Sequence, residues 1–310
     1  MLLFGIKHKV KLVTLDDMKL YAHKLLANLS DPIGDPSLIP TYFLSKFAKQ
    51  FVTVALSGDG GDELFAGYDP IKAILPAKIY RKFFNKKLHN IFLYITSKLP
   101  NSDRNMSLDF KIKRFLRGLS YSEKTEIPIW MSGLTPKEIS FFFNSNITEE
   151  DLYDDAINLW NKHLDYDEID HALQFFTSFY LTDDILVKSD RASMMVSLES
   201  RAVFLDNDIV DFCQRLPNQF KFKDGISKYI LKKALINWLP KNIIERKKKG
   251  FGIPINLWLR SYQPPSFNII GLDPNKAYNA QLLHNQRRGD FRFFLWDLHV
   301  LNAIQNKFKY

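Results

Sequence analysis

The hydrophobic pattern of the chain predicts two strands near its start and helices over most of the remainder. Residues 51–56 form an apolar run without charge or alternation, which is typical of a strand buried on both faces of a parallel sheet. The pattern predicts a second strand over residues 9–13 and, between the two, a helix over residues 16–27 that Thr14 caps. This order predicts a parallel βαβ unit, which needs further strands to form a stable sheet.

The pattern after residue 70 is almost wholly helical. Helices are predicted over residues 71–99, 111–119, 135–143, 148–163, 168–180, 185–198, 208–216, 228–238 and 290–304. We therefore expect the α/β fold class, with a partial nucleotide-binding α/β portion at residues 1–70 and a mainly helical remainder at residues 71–310.

A glycine-rich, acidic turn follows the run at 51–56. Its glycines are Gly58, Gly60 and Gly61. They supply backbone freedom and exposed amides at the edge where open α/β sheets bind ligands. Its carboxylates are Asp59, Asp62 and Glu63. Carboxylates repel a bare phosphate, so this arrangement favours a nucleotide site with Mg²⁺ or a cationic group between acid and phosphate. The alternative is that the glycines only turn the chain and the acids cap a helix that begins near Asp62.

A second candidate site residue is Lys228. It lies in the first turn of a predicted helix, behind Ser227 as a plausible N-cap. The buried face of this helix is predicted to consist of Ile230, Leu231, Ala234, Leu235 and Trp238. A cation beside the amides at the start of a helix makes an anion site. The alternative is a solvated surface lysine, which is the usual state of this residue type.

Composition narrows the classes of function. The 43 Lys and Arg residues outnumber the 34 Asp and Glu residues, and the formal charge of +9 suits nucleic acid, a membrane surface or anionic substrates. No nucleic-acid motif accompanies the charge, so we expect a solvated basic surface on an enzyme, without a specific nucleic-acid partner. The single cysteine, Cys213, excludes an internal disulfide framework and a multi-cysteine zinc site.

The chain has no apolar run long enough to span a bilayer, and the residues before Lys7 are too few for the apolar core of a signal peptide. We therefore expect a cytoplasmic location and no membrane partner.

The segment SGDGGDELFAGY at 57–68 resembles the motif S-G-[ED]-G-x-D-E-x-F-x-G-Y in the synthetase domain of the asparagine synthetase family. Four other segments resemble parts of the same domain and occur in its order and at its spacing, namely residues 35–50, 180–206, 225–235 and 247–260. The resemblance implies a parallel sheet of the adenine-nucleotide alpha-hydrolase type with a large helical body.

The resemblance also implies a reaction. Asparagine synthetases are ligases of asparagine biosynthesis that use ATP and Mg²⁺ to activate the side chain of aspartate as β-aspartyl-AMP, from which ammonia then displaces AMP. By resemblance, Ser57 and Gly58 contact the nucleotide, Asp59 contacts the aspartyl-adenylate, Asp62 is a Mg²⁺ ligand and Lys228 is the catalytic lysine.

Four further residues are expected to support the site. Gly60 and Glu63 belong to the same motif, whereas Asp184 and Arg191 belong to a charged helical stretch that walls the active site in the family. This stretch, together with Glu199 and Arg201, is expected mainly to form buried ion pairs, with pyrophosphate contact as a second role for Arg191.

Two family features do not occur in this sequence. The family has a pyrophosphate loop, S-G-G-x-D-S, and a preceding glutaminase domain whose nucleophile is an N-terminal cysteine, but residue 2 here is Leu2 and the loop motif is absent. We therefore expect a fragment or one half of a split enzyme, with a separate chain supplying both features. The alternatives are an inactive remnant or scaffold, a β-lactam-forming or peptide-modifying relative, and a basic nucleic-acid-binding protein.

Overall fold

The computed structural model describes residues 5–103, 106–246, 250–261 and 267–307. Its fold is mainly helical. The α-helices, in chain order, are α1 (Leu15–Ala27), α2 (Leu38–Ala48), α3 (Asp69–Phe83), α4 (Lys86–Ser97), α5 (Leu108–Gly118), α6 (Glu123–Met131), α7 (Pro136–Phe142), α8 (Glu149–Lys162), α9 (Glu168–Phe175), α10 (Leu186–Met194), α11 (Asn207–Arg215), α12 (Asn218–Lys221), α13 (Tyr229–Ala234), α14 (Lys241–Ile244), α15 (Ile255–Ser261), α16 (Pro274–Asn285) and α17 (Arg292–Lys307). The structure supports the predicted α/β class in a coarse form, as a helical body with a small parallel sheet.

Two short sheets occur in the described residues. Strand β1 (Val54–Ser57) pairs in parallel with β2 (Glu199–Ala202), and β3 (Phe222–Lys223) pairs antiparallel with β4 (Ile226–Ser227). The predicted strand at 51–56 is thus confirmed in part, since it begins three residues later. Its predicted burial on both faces is wrong here: Leu56 is 74% exposed, because β2 is the only strand beside it in the described part of the chain.

The predicted strand at 9–13 is also wrong. These residues lack regular structure and are almost all exposed, because no described strand pairs with them and an extended segment needs such a neighbour to form a ladder. The Lys9 ammonium instead lies 3.2 Å from the centre of the Phe51 ring. The helix that follows is confirmed: Thr14 and Asp17 form the capping box of α1.

The predicted helices are largely confirmed, although several of their boundaries differ. The helix predicted over 71–99 is two helices, because the chain becomes extended at Phe84 and the side chain of Asn85 caps α4. The helices predicted over 168–180 and 185–198 form one stretch, in which a π-helical segment (Phe176–Ile185) joins α9 to α10. Insertions of this kind frequently occur at functional sites.

Three hydrophobic clusters hold the helices together. The largest joins α1 and α2 to α15, α16 and α17 around Trp296. The second packs α3, α6, α9 and Phe176, and the third packs Leu64 and Phe65 against α11 and α13. Cys213 belongs to the third cluster and is buried. The predicted division of the chain into an α/β portion at residues 1–70 and a helical remainder stays a prediction. No helix among the described residues is long and apolar enough to cross a membrane.

Candidate active site

The acidic loop, residues 57–68, carries the predicted nucleotide-binding residues from the end of β1 to the start of α3. Gly60 has a φ of +88°, and a Cβ atom there would meet Leu205 Cγ at 2.8 Å, so both conformation and space require glycine. The Gly67 amide donates to the Asp62 carbonyl at 2.7 Å. The helix predicted to begin near Asp62 begins at Asp69, because the intervening residues form successive turns. The acids of the loop therefore do not cap that helix.

Asp62 and Lys228 lie far apart in the sequence and form an ion pair in the structure. Lys228 Nζ is 2.7 Å from Asp62 Oδ1, and the two side chains are 30% and 25% exposed, respectively. Gly67 makes this approach possible, because a Cβ atom at that position would lie 2.6 Å from Lys228 Cε and would collide with the Asp62 carboxylate. The structure thus brings together two residues that the family resemblance assigns to one active site, and their roles in catalysis stay predictions.

The main chain fixes the position of Lys228. Its φ and ψ of 56° and 38° are left-handed, and its amide donates to the Phe65 carbonyl at 2.9 Å. A non-glycine residue in this conformation is strained, and such strain clusters at active sites. The predicted Ser227 cap and first-turn lysine are wrong, because Ser227 ends β4 and Lys228 itself is the N-cap of α13.

The predicted buried face of this helix is only partly confirmed. Ile230 and Leu231 pack in the third hydrophobic cluster, whereas Trp238 lies beyond the end of α13 and is exposed. The helix has six residues, too few for a full amphipathic face.

Asp59 is held by two hydroxyl groups from different elements. Its Oδ2 atom accepts from Ser57 Oγ at 3.0 Å and from Ser189 Oγ of α10 at 3.1 Å. Beside it the space is open: a Cβ atom built on Gly58 would meet no heavy atom of the described residues within 4 Å. Ser189 thus contacts the candidate site, although the sequence did not single it out. Its only signal is its place beside Lys188, in the charged stretch predicted to wall the site.

Glu63 is only 2% exposed and points into the protein. Its carboxylate accepts a hydrogen bond from the Tyr68 hydroxyl, and the Tyr68 ring packs on Phe176 and Tyr180, with centroids 4.5 and 5.3 Å away. Burial, and secondarily the Glu63 charge, raise the pKa of Tyr68, so the phenol stays a neutral donor. Tyr68 therefore ties the acidic loop to the π-helical segment, and Glu63 holds its hydroxyl group.

Asp184 lies at the edge of this aromatic layer, near a buried ion pair. Lys188 Nζ is 2.7 Å from Asp35 Oδ2, and both side chains are largely buried, which confirms an ion pair at Lys188. Burial and then the Asp35 charge raise the pKa of Asp184 to about 7, against the opposing effects of Lys188 and a hydrogen bond with Tyr180. Asp35 is the first residue of a segment that resembles the family, but nothing in the sequence indicated its contact with Lys188.

The other charged residues of this region lie at the surface. Arg191 pairs with Asp190 at 3.2 Å, and Arg201 pairs with Glu199 at 2.7 Å, with all four side chains about half exposed or more. Their prediction as buried ion pairs is wrong. Glu199 and Arg201 are exposed because β2 has only β1 beside it among the described residues, and Asp190 and Arg191 lie on an exposed side of α10. Pyrophosphate contact by Arg191 stays a prediction.

The described carboxylates could hold a metal ion only together with ligands from a bound substrate or water. No group of three or more His, Cys, Asp or Glu side chains in the described residues could hold a metal ion by itself. Asp62 offers a partly exposed carboxylate at the acidic loop. Mg²⁺ usually binds through one or two carboxylates together with substrate phosphates and water. The residues present therefore fit an Mg²⁺ ion that arrives with a nucleotide, with Asp62 as its protein ligand.

Two concave features lie away from this site. A void of about 10 Å³ is lined by Trp160 and His171 among others, and a groove of about 520 Å³ lies between Ile6 and the segment from Ala234 to Leu239. The prediction that the amides of the acidic loop face a ligand pocket stays a prediction.

Comparisons with known proteins identify the family. The asparagine synthase family model matches residues 3–287. The chain is 31% identical over 271 residues to asparagine synthetase [glutamine-hydrolyzing] 1 of Bacillus subtilis, covering 83% of this chain and 39% of the relative. It is 30% identical over 257 residues to a putative asparagine synthetase [glutamine-hydrolyzing] of Mycobacterium tuberculosis, covering 83% and 38%. It is also 24% identical over 241 residues to amidase chyE of Penicillium rubens, covering 67% and 33%.

The chain thus spans about two fifths of the length of the asparagine synthetases that it matches. The family match extends over both the acidic loop and Lys228, the two parts of the chain that meet at the candidate site. The chain belongs to the asparagine synthase family.

Proposed function

We propose that this chain carries a synthetase site that amidates aspartate with ATP through β-aspartyl-AMP. The single observation that supports it most is the convergence of Asp62 and Lys228 beside the acidic loop. An acid that can hold Mg²⁺ and a lysine that can contact phosphate are the two groups that this reaction requires at one place. The names of the matched relatives support aspartate as the substrate.

In the first step, an oxygen of the aspartate side chain attacks the α-phosphorus of ATP, and the bond to pyrophosphate breaks. Lys228 offsets the negative charge that develops between the α-phosphate and the leaving pyrophosphate. Asp62 would hold Mg²⁺, which would supply positive charge to neutralise the phosphates. Because Asp62 and Lys228 pair directly, their opposite charges keep each other in place before the nucleotide arrives.

Ser57, Gly58 and Asp59 are assigned to the nucleotide and the adenylate. The open space beside Gly58 lets a phosphate or ribose approach the main chain closely. Asp59 has its orientation set by Ser57 and Ser189, so its carboxylate is a preorganised contact for the aspartyl-adenylate. In the second step, ammonia attacks the activated carbonyl carbon, AMP leaves with the former carboxylate oxygen, and the nitrogen loses a proton to form the amide.

We further propose that a segment with the S-G-G-x-D-S loop completes the site, either elsewhere in a longer chain or on a separate chain that also carries the glutaminase domain. Exposed apolar side chains on β1, Leu56 above all, support this proposal, since parallel sheets are normally covered on both faces. Such a segment would add strands beside β1.

The test is product analysis with aspartate, ATP and ammonia, using the chain alone and the chain mixed with a family segment that carries the loop. Equal amounts of asparagine and AMP are expected from the mixture. AMP release only with another carboxylic acid would indicate a β-lactam-forming or peptide-modifying relative. No turnover with any acid, in a mixture whose components bind each other, would indicate a scaffold and contradict the proposal.

A further inference from the structure

The segment that contains α4 and all of α3 after Asp69 carries basic side chains and no acidic ones. Residues 70–102 include seven lysine and arginine residues and no aspartate or glutamate. Three of the seven neutralise acids outside this range, in the ion pairs Lys72–Asp69, Lys78–Glu168 and Arg81–Glu126. The other four form no salt bridge within the part of the chain that the structure describes, and these are Lys82, Lys86, Lys87 and Lys98. The lysines without a salt bridge in the described residues therefore lie near the two ends of α4.

The solvent-facing side of α4 is apolar. Leu88, Ile91 and Ile95 recur at the i, i+3, i+7 spacing of one helical face, and all three are exposed. Tyr94, on the same side, is 66% exposed. Of the twelve residues of α4, only His89 is buried. Most of the apolar surface of this helix therefore faces outward.

Two of the free lysines lie on this same side. Lys87 precedes Ile91 by four residues and Lys98 follows Tyr94 by four residues, so each projects beside an apolar neighbour. The Lys98 ammonium lies 5.2 Å from the centre of the Tyr94 ring. A helix with exposed apolar side chains and nearby lysines can lie in a membrane interface, where the apolar side chains enter the acyl boundary and the lysines meet anionic headgroups.

We propose that this side of α4 binds the surface of an anionic lipid bilayer. Lipid phosphates would neutralise Lys87 and Lys98, while the acyl boundary would take up Leu88, Ile91 and Ile95. A second copy of the chain would bring like charges together, and a nucleic acid would leave the apolar side chains in water. The inference is independent of the proposed synthetase activity, because no proposed site residue lies on α4. It goes against the expectation of no membrane partner, which rests on the lack of an apolar run long enough to span a bilayer.

The first experiment measures flotation of the full chain with vesicles of pure phosphatidylcholine and with vesicles of equal parts phosphatidylserine and phosphatidylcholine. Binding is expected to the second kind only and to fall with added salt. The double substitution Lys87→Gln and Lys98→Gln is expected to weaken binding by about 25-fold, since each lysine near the surface contributes about fivefold. The matched control is Lys24→Gln with Lys162→Gln, two exposed lysines in the last turns of α1 and α8, and binding is expected to be unchanged.

A second experiment reports contact at the proposed face directly. The variant Tyr94→Trp is expected to show a blue shift of its added tryptophan emission with anionic vesicles. Tyr278→Trp, at a position on α16 with a similar exposure of 68%, is expected to show none.

Several outcomes would overturn the inference: no binding to anionic vesicles, equal losses in the two double variants, or equal emission shifts. Self-association that Ile91→Ser abolishes, without flotation, would assign the face to a protein partner instead. Salt-sensitive binding to duplex DNA without flotation would assign it to nucleic acid.

Discussion

The main-chain amide of Lys228 donates a hydrogen bond of 2.9 Å to the carbonyl oxygen of Phe65. Phe65 belongs to the acidic loop and Lys228 belongs to a distant part of the sequence, so this bond fixes the two halves of the candidate site to each other through the backbone. The ammonium of the lysine then reaches Asp62, three residues before Phe65. The location of the proposed catalytic cation thus depends on one left-handed residue, and this dependence can be tested separately from its charge.

The backbone strain at Lys228 predicts an unusual order of stabilities. Replacement of Lys228 by glycine is expected to give a chain more stable than replacement by alanine by about 1 kcal/mol, because glycine adopts the left-handed region without steric cost. Urea denaturation of the two variants measures the difference. Both lack the ammonium, so the comparison isolates the backbone. A more stable alanine variant would mean that residue 228 is not left-handed.

The close approach at Gly67 predicts that Gly67→Ala separates Asp62 from Lys228. The added methyl group would occupy the space of the Asp62 carboxylate and of Lys228 Cε, so a displacement of about 1 Å and a loss of activity of about 100-fold are expected. The measurement is kcat/KM for ATP in the complemented preparation.

Gly250→Ala is the matched control for that variant. A Cβ atom at Gly250 would meet no heavy atom of the described residues within 4 Å, and activity is expected to be unchanged. Equal activities of the two variants would contradict the account of Gly67.

The hydrogen bond from Ser189 to Asp59 predicts a positioning role for this serine. Ser189→Ala is expected to lower kcat/KM for aspartate by about tenfold, since loss of one hydrogen bond to a charged group costs about 1.5 kcal/mol. Ser193→Ala removes a hydroxyl of the same helix that donates to a carbonyl oxygen and not to Asp59. An equal effect of the two substitutions on aspartate kinetics would assign Ser189 a merely structural role.

The raised pKa of Asp184 predicts how stability depends on pH. Burial holds the proton on this carboxyl up to about pH 7 in the folded chain, whereas the ordinary value is 3.8. The folded state therefore binds more protons than the unfolded state between about pH 4 and pH 7, and this carboxyl makes the free energy of unfolding fall as the pH rises through that window, by up to about 1.4 kcal/mol per unit.

The substitution Asp184→Asn removes this titration. The free energy of unfolding of the variant, relative to the original chain, is expected to increase from pH 4 to pH 7 and to level off above pH 7. Asp183→Asn, which changes an exposed neighbour, controls for the loss of one charge. A difference between Asp184→Asn and the original chain that is independent of pH would contradict the raised pKa.

The acidic loop could be predicted from the sequence, because the glycines, the acids and the family motif all constrain the same short segment, and the family resemblance also marked Lys228 as a residue of the active site. The contacts of Asp59 with Ser189 and of Asp35 with Lys188 could not, since nothing local marks which serine or acid a distant helix will bring near. The left-handed backbone of Lys228 also had no local signal, because only tertiary hydrogen bonding favours it at a lysine.

Strand pairing was the least predictable part of the fold. Residues 9–13 have an apolar pattern but no described neighbour, whereas Glu199–Ala202 is charged and exposed and still forms a strand because β1 lies beside it. A β-strand forms only where a neighbouring strand can pair with it. The local sequence pattern alone therefore cannot show which of these two segments is a strand.

The central claim is that Lys228 acts on phosphate at the acidic loop, and aspartate-dependent exchange between ATP and pyrophosphate tests it most directly. In the preparation complemented with the S-G-G-x-D-S segment, Lys228→Ala is expected to lower the exchange rate by about 100- to 1000-fold, as loss of a preorganised electrostatic group does. Lys233→Ala, which removes an exposed lysine of the same helix, is expected to retain the original rate. Exchange by Lys228→Ala at the original rate would contradict the account.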